Sequence, residues 1–194
     1  MRIIPNGEAN RDVVFLTRDL GKITARSQSA RKIESKMRMH LTRYNHVVID
    51  VVHGKAIWRL TGIHAVEKHT LFQDNKILHA WHRAMTLAEH LIRGEEAHPE
   101  LFDFFVGILN WIDRLTTPPS LDKLVTPPLM KGRIPDTSSG LELFLVIHVL
   151  EKLGYWNGDP IPETPNTELL EKMNNNKKEL VIKINESLEA TQIV

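Results

Sequence analysis

Apolar residues in this chain change their spacing from about two to about 3.6 near position 70, and the two periods demand different folds. Before that point Asp12-Val13-Val14-Phe15-Leu16-Thr17 is a short β-branched and aromatic run closed by a turn at Asp19-Leu20-Gly21. Lys22–Ser27 alternates loosely, with basic residues at its polar positions. The strongest strand signal is His46–Val52; His53-Gly54-Lys55 then turns the chain and Ala56–Thr61 returns, so 46–61 reads as a hairpin. Gly62 bends or bulges the return strand, which resumes over Ile63–Glu67. Short strands with a charged outer face predict a small antiparallel barrel.

Beyond position 70 the pattern is helical. Asp74 caps a run with Ile77, Leu78, Trp81, Met85, Ala88, Leu91 and Ile92 on one stripe, ended by Gly94. His98-Pro99 opens a second helix with Leu101, Phe102, Phe105, Ile108, Leu109 and Ile112 buried. Thr116–Gly140 holds five prolines and reads as a long connection. Leu141–Leu153 is a buried helix stopped by Gly154, and Glu168–Met173 follows a second Pro-rich loop. Lys177–Leu188 is read as helix despite its β-branched Val181, Ile182 and Ile184. The expected fold class is therefore α+β: an N-terminal antiparallel β-barrel over 1–70 followed by an all-α domain over 71–194.

Charge divides at the same place. Residues 1–70 carry a net +7 and residues 71–194 a net −6, hidden within an overall +1. A basic half points to a polyanion partner. Its densest stretch, Lys22–Arg43, sets Lys22, Arg26, Arg31, Lys32, Lys36, Arg38 and Arg43 against the single acid Glu34. Cations at that density can follow a phosphate backbone, with Tyr44 and Trp58 as rings for base stacking. A solvated basic surface is the plainer reading of the same charges.

Several chemistries are excluded or weakly supported. The chain has no cysteine, which removes disulfides, thiolate metal sites and cysteine nucleophiles. It has no Gly-x-Ser-x-Gly, no phosphate-binding glycine loop and no dinucleotide fingerprint. Glu95, Glu96 and Glu100 lie where they favour the next helix's N-terminus rather than acid–base catalysis. His79, His82 and His90 fall on compatible turns of one helix, but no carboxylate completes a metal-binding pattern, so surface or packing roles are expected. No run reaches membrane-span length, and the first residues have no signal-peptide core, which gives a cytoplasmic expectation. No catalytic residue, metal or cofactor is expected.

The order of motifs resembles one family. Gly7-Glu8-Ala9-Asn10-Arg11, then Val14-Phe15-Leu16-Thr17-Arg18-Asp19-Leu20-Gly21-Lys22-Ile23, is similar to the opening of the bacterial DNA repair protein RecO. Ser29-Ala30-Arg31-Lys32 with Ser35-Lys36, Trp58-Arg59-Leu60-Thr61, and Leu141-Glu142-Leu143-Phe144 through Leu153-Gly154-Tyr155 extend the likeness over most of residues 7–160. The resemblance implies an oligonucleotide-binding (OB) barrel followed by a helical domain. It implies binding and annealing of single- and double-stranded DNA and help in loading RecA, with RecR and the acidic C-terminal tail of single-strand-binding protein as partners, near the nucleoid. The family's DNA-binding cations fall on Arg11, Arg18, Lys22, Arg26, Arg31, Lys32 and Lys36; charge and strand placement add Arg38, Arg43 and Arg59. Arg83, Arg93 and Lys152 flank apolar helix faces and are candidates for the acidic tail.

Three departures accompany the likeness. Arg2-Ile3-Ile4 is a stub of the family's first strand, so a barrel edge is expected to need a substitute, either the C-terminal segment or an upstream start. The four zinc-binding cysteines that many members carry are missing here, and Ser29 stands where glycine is usual in the loop presenting Arg31-Lys32. Two further classes stay open: a protein-binding scaffold without DNA affinity, and a metal-dependent hydrolase using His79, His82 and His90.

Overall fold

The computed structural model describes residues 2–6, 10–27, 44–67, 69, 74–116 and 138–190. Five strands come first, β1 (Ile3–Asn6), β2 (Asn10–Thr17), β3 (Gly21–Ser27), β4 (His46–His53) and β5 (Trp58–Glu67). Five helices follow, α1 (Asn75–Leu91), α2 (Pro99–Thr116), α3 (Ser138–Lys152), α4 (Thr167–Asn175) and α5 (Lys177–Ala190). Two compact units emerge, Met1–His69 with Ala88–Val106 and Thr70–Leu87 with Gly107–Val194.

In the first unit the strands form one sheet in the order β1-β2-β3-β5-β4. The stub at the N-terminus is a true strand, with Ile3 opposite Val13 and Ile4 opposite Asp12. Val13, Ala25 and Leu60 form the buried centre of one sheet face, joined by Ile3, Phe15, Ile49, Val51, Trp58 and Ile63. Alternation then places Asp12, Arg26, Arg59 and Val52 on the opposite face. The expected small antiparallel barrel holds in part: the β1–β2, β2–β3 and β4–β5 pairings are antiparallel. β3 and β5 pair in parallel, and among the described residues the sheet stays open between β1 and β4. The parallel pair joins strands separated by β4 in sequence, so no hairpin period announces it.

One smaller correction concerns the β4–β5 hairpin. Ala56 and Ile57 belong to its turn rather than to the return strand, with Gly54 N–H donating to the Ile57 carbonyl at 3.0 Å. The bend or bulge expected at Gly62 is a β-bulge: Asp50 faces Gly62 while Val51 faces Leu60, which leaves Thr61 as the extra residue. Phe102, expected to be buried, is half-buried, with its ring 5.9 Å from that of His46.

The helices start and stop as their sequence signals require. Asp74 Oδ1 accepts from Lys76 N–H at 2.7 Å and Ile77 N–H at 3.2 Å, which satisfies two free donors of α1. Asn166 caps α4 in the same way through Leu169 N–H. Gly94 and Gly154 take positive φ just beyond α1 and α3. In the second unit α3 packs against α4 and α5 and is buried over most of its length. The 177–188 segment is helical, supported by an i,i+4 pair between Lys183 and Glu179 at 3.2 Å.

His148 in α3 is a feature that sequence periodicity does not flag. Its ring is fully buried 4.2 Å from Phe144, and its Nδ1 donates to the Phe144 carbonyl at 2.9 Å. Burial pushes its pKa below the ordinary histidine value, with Glu151 opposing and Lys152 adding to the shift. The unfolded chain therefore binds a proton near pH 6.5 that the folded chain refuses. Stability should fall as pH drops below about 6.5 and level off beneath the folded pKa. Urea unfolding across this range should show a steeper acid loss for wild type than for His148→Leu; parallel curves would contradict the assignment.

Candidate nucleic-acid interface

The described basic residues sit on β2, β3, β5 and the turns between them. Arg11 is half-buried on β2 opposite Ser27, and among the described residues it meets no carboxylate. Arg18 occupies the β2–β3 turn and makes a bidentate pair with Asp103 of α2. Its Nε lies 2.9 Å from Oδ1 and its Nη2 lies 3.0 Å from Oδ2. The guanidinium holds the Asp103 carboxyl below the usual carboxylate range, so the pair is charged at neutral pH. Lys22, the second residue of β3, donates to the Glu89 carbonyl at 2.7 Å. That oxygen belongs to the last turn of α1, where a cation meets the negative end of the helix dipole.

Arg26 pairs with Asp12 across the β2–β3 ladder at 2.8 and 3.0 Å. On its other side Arg26 faces Arg59 in the parallel β3–β5 register. Two guanidinium groups thus occupy neighbouring positions of one sheet face. Arg59 is exposed and has no ion-pair partner among the described residues. Neighbouring like charges cost energy in water, and Asp12 offsets only the Arg26 half. The pair suits an anion that bridges both strands.

The two candidate aromatic residues differ. Trp58 lies at the start of β5, with its Nε1 donating to Glu95 Oε1 at 2.7 Å and its ring 4.7 Å edge-on to that of His53. Tyr44 precedes β4 at φ 66°, a left-handed conformation seldom taken by a non-glycine residue. Arg31, Lys32, Lys36, Arg38 and Arg43 fall outside the described residues, as do most of the Gly7–Arg11 and all of the Ser29–Lys36 resemblance segments.

Sequence reading overlooks Arg2, which pairs with Glu89 at 3.1 Å, and His64, which bonds Asp50 on the outer face beside the bulge. Simple alternation along β5 would put His64 on the buried face with Leu60; the extra residue at Thr61 shifts the phase and brings it to the face of Arg59. Of the tail-binding candidates, Arg83 pairs with Glu142 at 2.8 Å and Lys152 with Glu163 at 2.6 Å, while Arg93 is exposed. His79, His82 and His90 are exposed on α1. Among the described residues no three metal-ligating side chains converge. No helix among them is long and apolar enough to cross a membrane.

Comparison with known proteins bears on which anion this face suits. The chain is similar to the DNA repair protein RecO of Dehalococcoides mccartyi strain BAV1, 33% identical over 113 residues, 58% of this chain and 45% of the relative. The RecO of strain 195 is 32% identical over 111 residues, 57% of this chain and 44% of that protein. These similarities support a RecO-family relationship. It spans just under half the length of these curated RecO proteins. No family model matches. The RecO relationship agrees with the resemblance read from the Gly-Glu-Ala-Asn-Arg and Thr-Arg-Asp-Leu-Gly-Lys segments.

Proposed function

We propose that this chain is a DNA-binding protein of recombinational repair that screens the phosphates of two strands so that they can pair. The observation that carries the reading is the Arg26–Arg59 juxtaposition on an open sheet face of a RecO relative. A doublet of guanidinium groups neutralises backbone charge without reading bases, as annealing of arbitrary sequences requires. Residues 1–70 serve as the nucleic-acid-binding domain and 71–194 as the helical domain. The strand order with a parallel β3–β5 pair supports an OB-type sheet, a fold whose exposed face and loops take oligonucleotides. The residues assigned to DNA binding in this reading are Arg11, Arg18, Lys22, Arg26, Tyr44, Trp58 and Arg59 together with Arg31, Lys32, Lys36, Arg38 and Arg43.

By the same relationship the partners are single- and double-stranded DNA, RecR and the single-strand-binding protein's tail, with RecA served indirectly. The work is done in the cytoplasm and breaks no covalent bond. Affinity for a labelled oligothymidylate should fall with salt at a log–log slope near −3 to −4, corresponding to about four to six phosphate contacts. Arg59→Glu should weaken binding to all sequences alike and flatten that slope by about one. A salt-independent or sequence-selective response would overturn the reading; absence of DNA binding at low salt would leave the scaffold.

A further inference from the structure

Residues 89–103, from the end of α1 through the first turn of α2, engage three of the seven described candidate DNA-binding residues. Asp103 holds Arg18, the Glu89 carbonyl holds Lys22, and Glu95 holds the indole N–H of Trp58. The Glu89 side chain also takes Arg2. All of these groups belong to the first unit. The segment is acidic at Glu89, Glu95, Glu96, Glu100 and Asp103.

We propose that this segment is an internal acidic competitor of the nucleic-acid strand, which holds Arg18 and Trp58 in reserve until a backbone phosphate displaces its carboxylates. The inference rests on the DNA-binding reading and adds the regulation of that face. Exchange is feasible because the contacts are exposed: the Arg18 and Asp103 side chains are 55% and 53% accessible. Exposed ion pairs are weakly held against water and salt. Phosphate presents the same bidentate geometry to a guanidinium as carboxylate does, so one replaces the other without moving the backbone. Glu96 supplies an internal control. It lies in the same segment and carries the same charge, and among the described residues its carboxylate meets no cation.

The test compares Asp103→Asn, Glu95→Ala and Glu96→Gln in the full chain, with oligothymidylate affinity measured across salt and folding checked by thermal melting. Releasing Arg18 adds one phosphate contact. Asp103→Asn should therefore tighten binding about eight-fold near 50 mM salt and about three-fold near 200 mM, steepening the slope by about 0.7. Glu95→Ala, which removes the oxygen that accepts the indole N–H, should also tighten binding by freeing Trp58, whereas Glu96→Gln should change affinity by less than about two-fold. Arg18→Gln should weaken binding more in the Asp103→Asn background than in wild type, a coupling that a merely structural pair does not produce. Equal gains from Asp103→Asn and Glu96→Gln, or no gain from either in a wild type that binds DNA, would overturn the competitor and spare the DNA-binding reading. Failure of every variant to bind would overturn both.

Discussion

Gly21→Ala is expected to lower the unfolding free energy by about 3 kcal/mol. Two independent costs meet at this turn between β2 and β3. Gly21 has φ +66°, a conformation that costs an ordinary L-residue about 1–2 kcal/mol. A Cβ there would also sit 1.9 Å from the Glu96 carbonyl oxygen and 2.5 Å from its carbon. Those are backbone atoms, so no side-chain rotation relieves the clash, and overpacking of this kind costs about 1–3 kcal/mol. The chain must yield either at the turn or at the 94–97 stretch. The second choice would pull Glu95 from Trp58. Urea denaturation should show a lower midpoint with an unchanged slope. A loss below about 0.5 kcal/mol, the range of ordinary surface substitutions, would mean that the close approach does not exist.

This turn shows what the sequence can and cannot disclose. Asp19-Leu20-Gly21 announces a turn, because glycine alone takes the left-handed conformation without strain. Nothing local announces that the turn meets residue 96. The same holds for the cations. Charge density over the first 70 residues marks a basic half, but Arg18 finds its carboxylate 85 positions away and Lys22 its carbonyl 67 positions away. A count of charges thus overstates how many are available to a ligand. Local signals fare better. The alternation in 46–52 and the glycine at 62 fix β4 and the bulge, since both arise within one hairpin. The parallel β3–β5 register, which sets Arg26 beside Arg59, depends on long-range pairing that no window of sequence contains. In α5, Val181 and Ile182 invite a strand reading, yet they lie exposed on a helix whose buried positions are Ile184 and Ser187. Tertiary packing outweighed their β propensity, which is small per residue.

Two glycines within helices should respond to alanine with opposite signs. In an open helix interior Gly→Ala stabilises by about 1 kcal/mol, because alanine has less backbone freedom to lose on folding. Gly107 in α2 is exposed with no atom within 4 Å of a built Cβ, so Gly107→Ala should show that gain. Gly140 is buried in the first turn of α3, where a Cβ would lie 2.1 Å from the Leu170 carbonyl oxygen and 2.8 Å from its carbon. The obstacle is the backbone of α4, so relief requires α3 and α4 to separate. That separation would loosen the packing around Leu170 and Met173, the buried residues of α4. Overpacking at about 3 kcal/mol, less the propensity gain of about 1, leaves Gly140→Ala destabilised by about 2 kcal/mol. Thermal or urea unfolding of the two variants side by side measures both effects against one wild type. A stabilised Gly140→Ala would show that α3 and α4 do not approach through this glycine, and the packing of the second unit would have to be redrawn.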